Sequence, residues 1–95
     1  MKAQIFNYTD RVHETEPVYL YEKYSKILEK AWFNVVSFQE KKFEPFGYTC
    51  IWLLSESHLA IHTFPECWRS YVELASCVLD KYNNFIKLVG ENEQD

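Results

Sequence analysis

The sequence is short of nearly everything that marks a membrane, secreted or nucleic-acid-binding chain. Its longest apolar runs are about five residues, far below the length that crosses a bilayer. The opening Met1-Lys2-Ala3-Gln4-Ile5 offers no apolar signal core and no transit-peptide character. Lys and Arg number 10 against 14 Asp and Glu, giving a net charge of −4, and neither sign gathers into a block. Nothing is basic enough to point to nucleic acid or to an anionic membrane surface. Cys50, Cys67 and Cys77 form no CxxC pair, and an odd count argues against a disulfide framework. The expectation from these absences is a reducing cytoplasm, in which a working cysteine is reactive or packed rather than bridged. Internal repeats, low-complexity segments and linkers are also missing.

What remains suits one small globular domain spanning residues 1–95. The chain is 47% hydrophobic and 18% aromatic, enough for a core. So small a core is marginal alone, which makes self-association an expectation.

Residues 3–8 read as a first strand, followed by a polar link from Thr9 to Glu16. Thr15 as N-cap with Pro17 in the first turn starts a helix. Leu20, Tyr24, Ile27, Leu28 and Ala31 then recur at helical spacing, with Glu22, Lys23, Lys26, Glu29 and Lys30 on the other side. Trp32 to Glu40, rich in aromatic and β-branched residues, reads as a second strand. Phe43-Glu44-Pro45-Phe46-Gly47 is a turn, Tyr48 to Leu54 a third strand, Ser55 to Ser57 a polar bend, and Leu59 to Phe64 a fourth strand. The tail is open to two readings. Trp68, Val72, Ala75, Leu79, Tyr82, Ile86 and Val89 fit one long helix. Alternatively, Tyr71, Glu73, Ala75 and Cys77 line one side of a strand, and only Leu79 to Val89 is helical. Gly90 to Asp95 reads as frayed.

The chemistry is concentrated in Leu54 to Glu66, which holds two carboxylates, two histidines, two serines and a threonine in an apolar setting. Taken singly, each residue has an ordinary explanation. Ser57 suits a turn, Cys77 a small buried hydrophobe, Phe43 the core, and Glu66 the start of a helix. His58 and His62 lie at metal-ligand spacing, but no third ligand and no HExxH context accompany them, so no metal is expected. On a straight strand Ser57 and His62, five positions apart, face opposite ways, and only a bend near Ser57 lets them meet.

Glu56-Ser57-His58-Leu59-Ala60-Ile61-His62-Thr63-Phe64-Pro65-Glu66 resembles the self-processing motif of bacterial and archaeal S-adenosylmethionine decarboxylase proenzymes, Glu-Ser-His-x-x-Ile-His-Thr-Trp-Pro-Glu. Phe64 for Trp is the departure within the motif. Cys77, twenty residues after Ser57, matches the spacing of that family's catalytic cysteine, and Phe43-x-Pro45-x-Gly47 is similar to its Phe-x-Pro-Gln-Gly segment. The likeness runs best over residues 27–77. Around Cys77 it departs: Val78 stands where the family has Gly, and Glu73 where it has Asp.

The resemblance implies an α+β fold, a two-layer sandwich with an antiparallel-rich sheet of four to five strands and two helices on one face. On that ground the tail is expected to hold a strand over residues 70–77. It also implies cleavage between Glu56 and Ser57, into a β chain of residues 1–56 and an α chain of residues 57–95. Ser57 would attack the preceding carbonyl in an N-to-O acyl shift, β-elimination of the ester would leave dehydroalanine, and its hydrolysis, with loss of ammonia, would give a pyruvoyl group as cofactor. His62 would be the proton acceptor in processing. The pyruvoyl ketone would form a Schiff base with the substrate amine and act as electron sink, and Cys77 would return a proton to the substrate carbon. Phe43 would stack on adenine and Glu66 would hold the ribose hydroxyls. The implied partners are S-adenosylmethionine and a second copy of the chain, in a homodimer with shared active sites serving polyamine (spermidine) synthesis. Two other functions fit the residues: a pyruvoyl-dependent decarboxylase of arginine or ornithine, and a shortened non-catalytic homologue acting as a regulatory subunit.

Overall fold

The computed structural model describes residues 4–93. Its elements follow as β1 (Phe6–Val12), α1 (Pro17–Lys30), β2 (Val35–Lys42), β3 (Tyr48–Leu54), β4 (Ser57–Phe64), a short 3-10 turn (Pro65–Cys67), β5 (Arg69–Ser76) and α2 (Leu79–Glu93). All neighbouring strands pair antiparallel in one five-stranded sheet of order β1-β5-β4-β3-β2. Both helices pack on one face of it, giving the expected α+β two-layer sandwich.

Alternation along the strands decides which face is dry. Tyr48, Cys50, Trp52 and Leu54 of β3, Leu59 and Ile61 of β4, and Val72 and Leu74 of β5 point at the helices and are buried. Leu20, Tyr24, Ile27 and Leu28 of α1 and Phe85 and Val89 of α2 meet them. Phe38 and Tyr21 extend this layer over Trp52, whose indole N–H donates to Ser25 Oγ at 3.2 Å.

The opposite face carries no helix among the described residues. Thr49, Ile51 and Leu53 of β3, His58, Ala60 and His62 of β4, and Tyr71, Glu73 and Ala75 of β5 form it, with Ile51 38% and Leu53 48% exposed. Among the described residues no helix is long and apolar enough to cross a membrane.

Several boundaries differ from those read in the sequence. β1 is Phe6–Val12, not residues 3–8, because Phe6, Tyr8, Asp10 and Val12 alternate inward through the stretch read as a link; Ala3 lies outside the described residues. The N-cap of α1 is Glu16 rather than Thr15, and its carboxylate accepts the Tyr19 N–H at 2.8 Å. β2 begins at Val35 because Trp32, at φ 74, closes α1 in a left-handed cap: Trp32 N–H donates to Glu29 O and Phe33 N–H to Leu28 O, both 3.0 Å. The long-helix reading of the tail is overturned. β5 occupies Arg69–Ser76 with alternating burial, and α2 starts at Leu79 and continues through Gly90 to Glu93, where fraying was expected. The helical spacing is not used: of Trp68, Val72 and Ala75 only Val72 points inward, alongside Ser70, Leu74 and Ser76, while Trp68 is exposed.

Candidate functional site

The motif begins at a tight hairpin. Leu54 pairs with Ser57, so Ser55 and Glu56 alone turn the chain from β3 into β4. Ser55 is pinned from outside: its N–H donates to Asn34 O at 3.0 Å, and Asn34 Nδ2 donates to Ser55 Oγ at 2.9 Å. Glu56 sits at φ 61, a left-handed position that Gly or Asn usually fills. A Cβ there costs roughly 1–2 kcal/mol. The carbonyl of this strained residue accepts the Cys77 N–H at 3.3 Å. Ser57, the next residue, pairs with Ser76 of β5, and its hydroxyl donates to Ser76 Oγ at 3.1 Å. The Glu56–Ser57 peptide is therefore gripped on its carbonyl side and on its hydroxyl side by consecutive residues of one neighbouring segment. Cys77 itself is exposed, just past the end of β5. The strand that replaces the long helix is what brings Ser76 and Cys77 to Ser57.

His62 lies elsewhere. The bend that could have turned it toward Ser57 ends at Glu56, and β4 runs on from Ser57 without interruption. Five steps along a strand separate the two residues by about 16 Å, on opposite faces. His62 shares a row across the open face with Arg11, Tyr71, Thr49 and Lys41. Thr49 Oγ1 lies 2.9 Å from His62 Nδ1, fixing the ring. Beside it opens a cleft of about 410 Å³ with Arg11, Arg69, Phe64 and Tyr71 in its walls and no carboxylate in its lining.

Phe43 and Glu66 also belong to that far end. Phe43 opens the β2–β3 turn, donating its N–H to Gly47 O at 2.9 Å, and its ring is exposed. Gly47 takes φ 111, a backbone conformation that is strained for any residue with a side chain, although a Cβ there would meet Phe43 and Thr63 only at ordinary contact distance. Glu66 sits in the 3-10 turn after β4. One chain thus holds Ser57 and Cys77 at one end of the sheet, and His62, Phe43 and Glu66 at the other.

His58, next to Ser57, points to the open face, its Nε2 4.0 Å from Glu73 Oε1, and does not turn toward the hydroxyl. Cys50 is buried in the core, and burial pushes its thiol up to about 11. Among the described residues no three His, Cys, Asp or Glu side chains cluster as metal ligands. Sequence reasoning missed three supporting residues, Asn34, Thr49 and Ser76. Each is a small polar residue whose partner lies at least 13 positions away, so only the strand register could reveal it.

The model of the S-adenosylmethionine decarboxylase family matches residues 9–91. S-adenosylmethionine decarboxylase proenzyme 2 of Bacillus cereus is 43% identical over 44 residues, covering 46% of this chain and 36% of the relative. The proenzyme of Brevibacillus brevis is 48% identical over 44 residues, covering 46% of this chain and 33% of the relative. That of Archaeoglobus fulgidus is 36% identical over 52 residues, covering 55% and 46%. The match thus spans from a third to under half the length of these relatives. The crystal structure of the adenosylmethionine decarboxylase from Aquifex aeolicus superposes with a TM-score of 0.69 at 19% identity, over 95% of this chain and 83% of that one, a likeness of fold. Matched by the family model over most of its length, and carrying the hairpin, strand order and helix layer just described, the chain belongs to the S-adenosylmethionine decarboxylase family.

Proposed function

We propose that the chain is a cytoplasmic proenzyme that cuts itself between Glu56 and Ser57, turns Ser57 into a pyruvoyl group, and decarboxylates S-adenosylmethionine for polyamine synthesis. The observation that carries this reading is the grip on the Glu56–Ser57 peptide. A left-handed Glu56 strains the acyl side, the Cys77 N–H polarises its carbonyl, and the Ser57 hydroxyl is held beside it. In the acyl shift the Ser57 Oγ–C bond forms, the C–N bond breaks, and the hydroxyl proton ends on the freed amine. Negative charge that develops on the Glu56 oxygen meets an N–H already aimed at it. These residues fit a pyruvoyl group at position 57, and when present that group supplies an electron sink for the bond that releases carbon dioxide. Cys77, exposed just past β5 with its backbone N–H on the Glu56 carbonyl, is on this reading the proton donor to the substrate carbon.

The remaining assignments concern the other end of the sheet: His62 as proton acceptor in processing, Phe43 against the adenine, Glu66 on the ribose hydroxyls. A homodimer reconciles them with Ser57. In a two-fold pair whose axis lies across the strands, each copy runs opposite to its mate, and the far end of one chain meets the near end of the other. The half-exposed Ile51 and Leu53 on the open face support such pairing. S-adenosylmethionine then lies between subunits.

Intact-mass measurement of the purified chain tests the reading. Two fragments dividing before residue 57, the second beginning with a pyruvoyl group, are expected. A single uncut mass after long incubation overturns it. Carbon dioxide release assayed side by side from S-adenosylmethionine, arginine and ornithine then tests the substrate.

A further inference from the structure

Ser76 takes no part in the chemistry above, yet its hydroxyl is the group that touches Ser57. We infer that Ser76 is the positioning residue for self-cleavage, holding the Ser57 hydroxyl in the rotamer that aims an oxygen lone pair at the Glu56 carbonyl carbon; this rests on the proposed cut at Glu56–Ser57. Ser76 is 0% exposed, so no water competes for it. Its valences are all assigned. The Ser76 proton donates to Val78 O at 3.2 Å, and its oxygen accepts the Val78 N–H at 3.1 Å and the Ser57 O–H at 3.1 Å. A hydroxyl with one donation and two acceptances is saturated.

Two consequences follow. Ser57's single proton is committed to Ser76 rather than to the scissile carbonyl, which leaves its lone pairs uncommitted for attack. Ser76 cannot be the base, because its own proton points to a peptide carbonyl, which does not accept it onward. It orients, and the proton must leave by another group. The Val78 bonds fix Ser76 from the far side through the start of α2, so the acceptor is held by backbone rather than by a movable side chain. The same segment supplies the Cys77 N–H to the Glu56 oxygen. A displacement of the β5–α2 junction would therefore shift nucleophile and electrophile together.

The bland alternative is a buried turn cap that stabilises the junction and nothing more. An isosteric pair separates the two. Ser76→Thr keeps the hydroxyl; Ser76→Val replaces it with a methyl of the same shape. Cleavage is followed by intact mass from the moment of purification, and thermal midpoints are measured on a Ser57→Ala background, where no cut confuses them. The expected result is a cleavage rate lowered roughly tenfold or more by Ser76→Val, the scale of one lost orienting hydrogen bond, with Ser76→Thr within about threefold of the parent. If the Val variant does not fold, Ser76→Ala carries the same comparison. Equal slowing by Val and Thr, or parental cleavage by Val, overturns the inference while leaving the proposed cut intact. An uncut parent chain overturns the proposed cut, and with it the inference.

Discussion

If the sites are shared, two inactive chains should repair each other. His62→Ala removes the proposed proton acceptor and Ser57→Ala removes the nucleophile. Within one subunit no rearrangement of side chains joins the two groups. The residues stand on opposite faces about 16 Å apart, whereas proton transfer needs heavy atoms about 2.6–3.2 Å apart. Losing a general base costs about 10²–10⁴-fold, so His62→Ala made alone should be uncut over hours in which the parent finishes. Co-expression of the two variants gives randomly paired dimers. A mixed dimer has one site with both mutations and one with neither, and the intact site contains the Ser57 of the His62→Ala chain. About half of the His62→Ala chains should therefore be cut, and none of the Ser57→Ala chains, for a two-fold dimer with equal expression. Distinct tags and intact mass give the fraction directly. Cleavage of His62→Ala alone, or no cleavage in the mixture despite isolated mixed dimers, would refute the sharing of sites.

Three further expectations concern particular residues. Glu56→Gly relaxes the φ 61 position, so on a Ser57→Ala background it should raise stability by up to about 1–2 kcal/mol, and with Ser57 restored it should slow cleavage; faster cutting would mean the strain serves no purpose. Burial holds the Cys50 thiol at about 11 against an ordinary 9.0, so the folded chain keeps a proton that the unfolded chain sheds. Stability present below pH 9 should thus fall as pH rises toward 11, by up to roughly 2–3 kcal/mol, and Tyr48, kept protonated by burial and by its bond to Glu40, should deepen the loss at the top of that range. Denaturation of the Ser57→Ala chain at several pH values checks this, and a Cys50→Val control should flatten the profile. Cys77→Ala keeps the backbone N–H that faces Glu56 O, so it should still be cut while losing most turnover; loss of cutting would move the thiol into the processing step.

The elements that sequence revealed best are those whose pattern is simple. β3 was legible to the residue because Tyr48 to Leu54 is an apolar strand between two turn signals. α1 was legible from its stripe, though not its cap, since Thr15 and Glu16 both offer an oxygen and only backbone direction chooses. The tail misled because two of the strand's inward positions are the polar Ser70 and Ser76, which weakens its alternation, and the likeness to a known motif, not periodicity, pointed to a strand. For the site, the resemblance to the proenzyme motif named Ser57, His62, Cys77, Phe43 and Glu66, each of which has an ordinary explanation when taken singly. Their division between two ends of the sheet was only half visible. Parity along a strand gives the opposite faces of Ser57 and His62, but the position of the turn at Ser55–Glu56 fixes that no bend rescues them. Ser76 and Thr49 depend on cross-strand register, which no single segment encodes.

The Glu56–Ser57 peptide is also the covalent link between the neighbouring strands β3 and β4, and its loss would change how the molecule can be made. Before the cut, β3 finds β4 through a two-residue turn, from Leu54↔Ser57 down to Tyr48↔Thr63. After the proposed cut the same ladder would be an interface between separate polypeptides. Closing a short loop is then replaced by an encounter that depends on concentration. A cut form would accordingly be reachable only through its precursor. Heat or denaturant should erase it in a way that dilution does not reverse, so the order of events, fold first and break second, is written into where the bond lies.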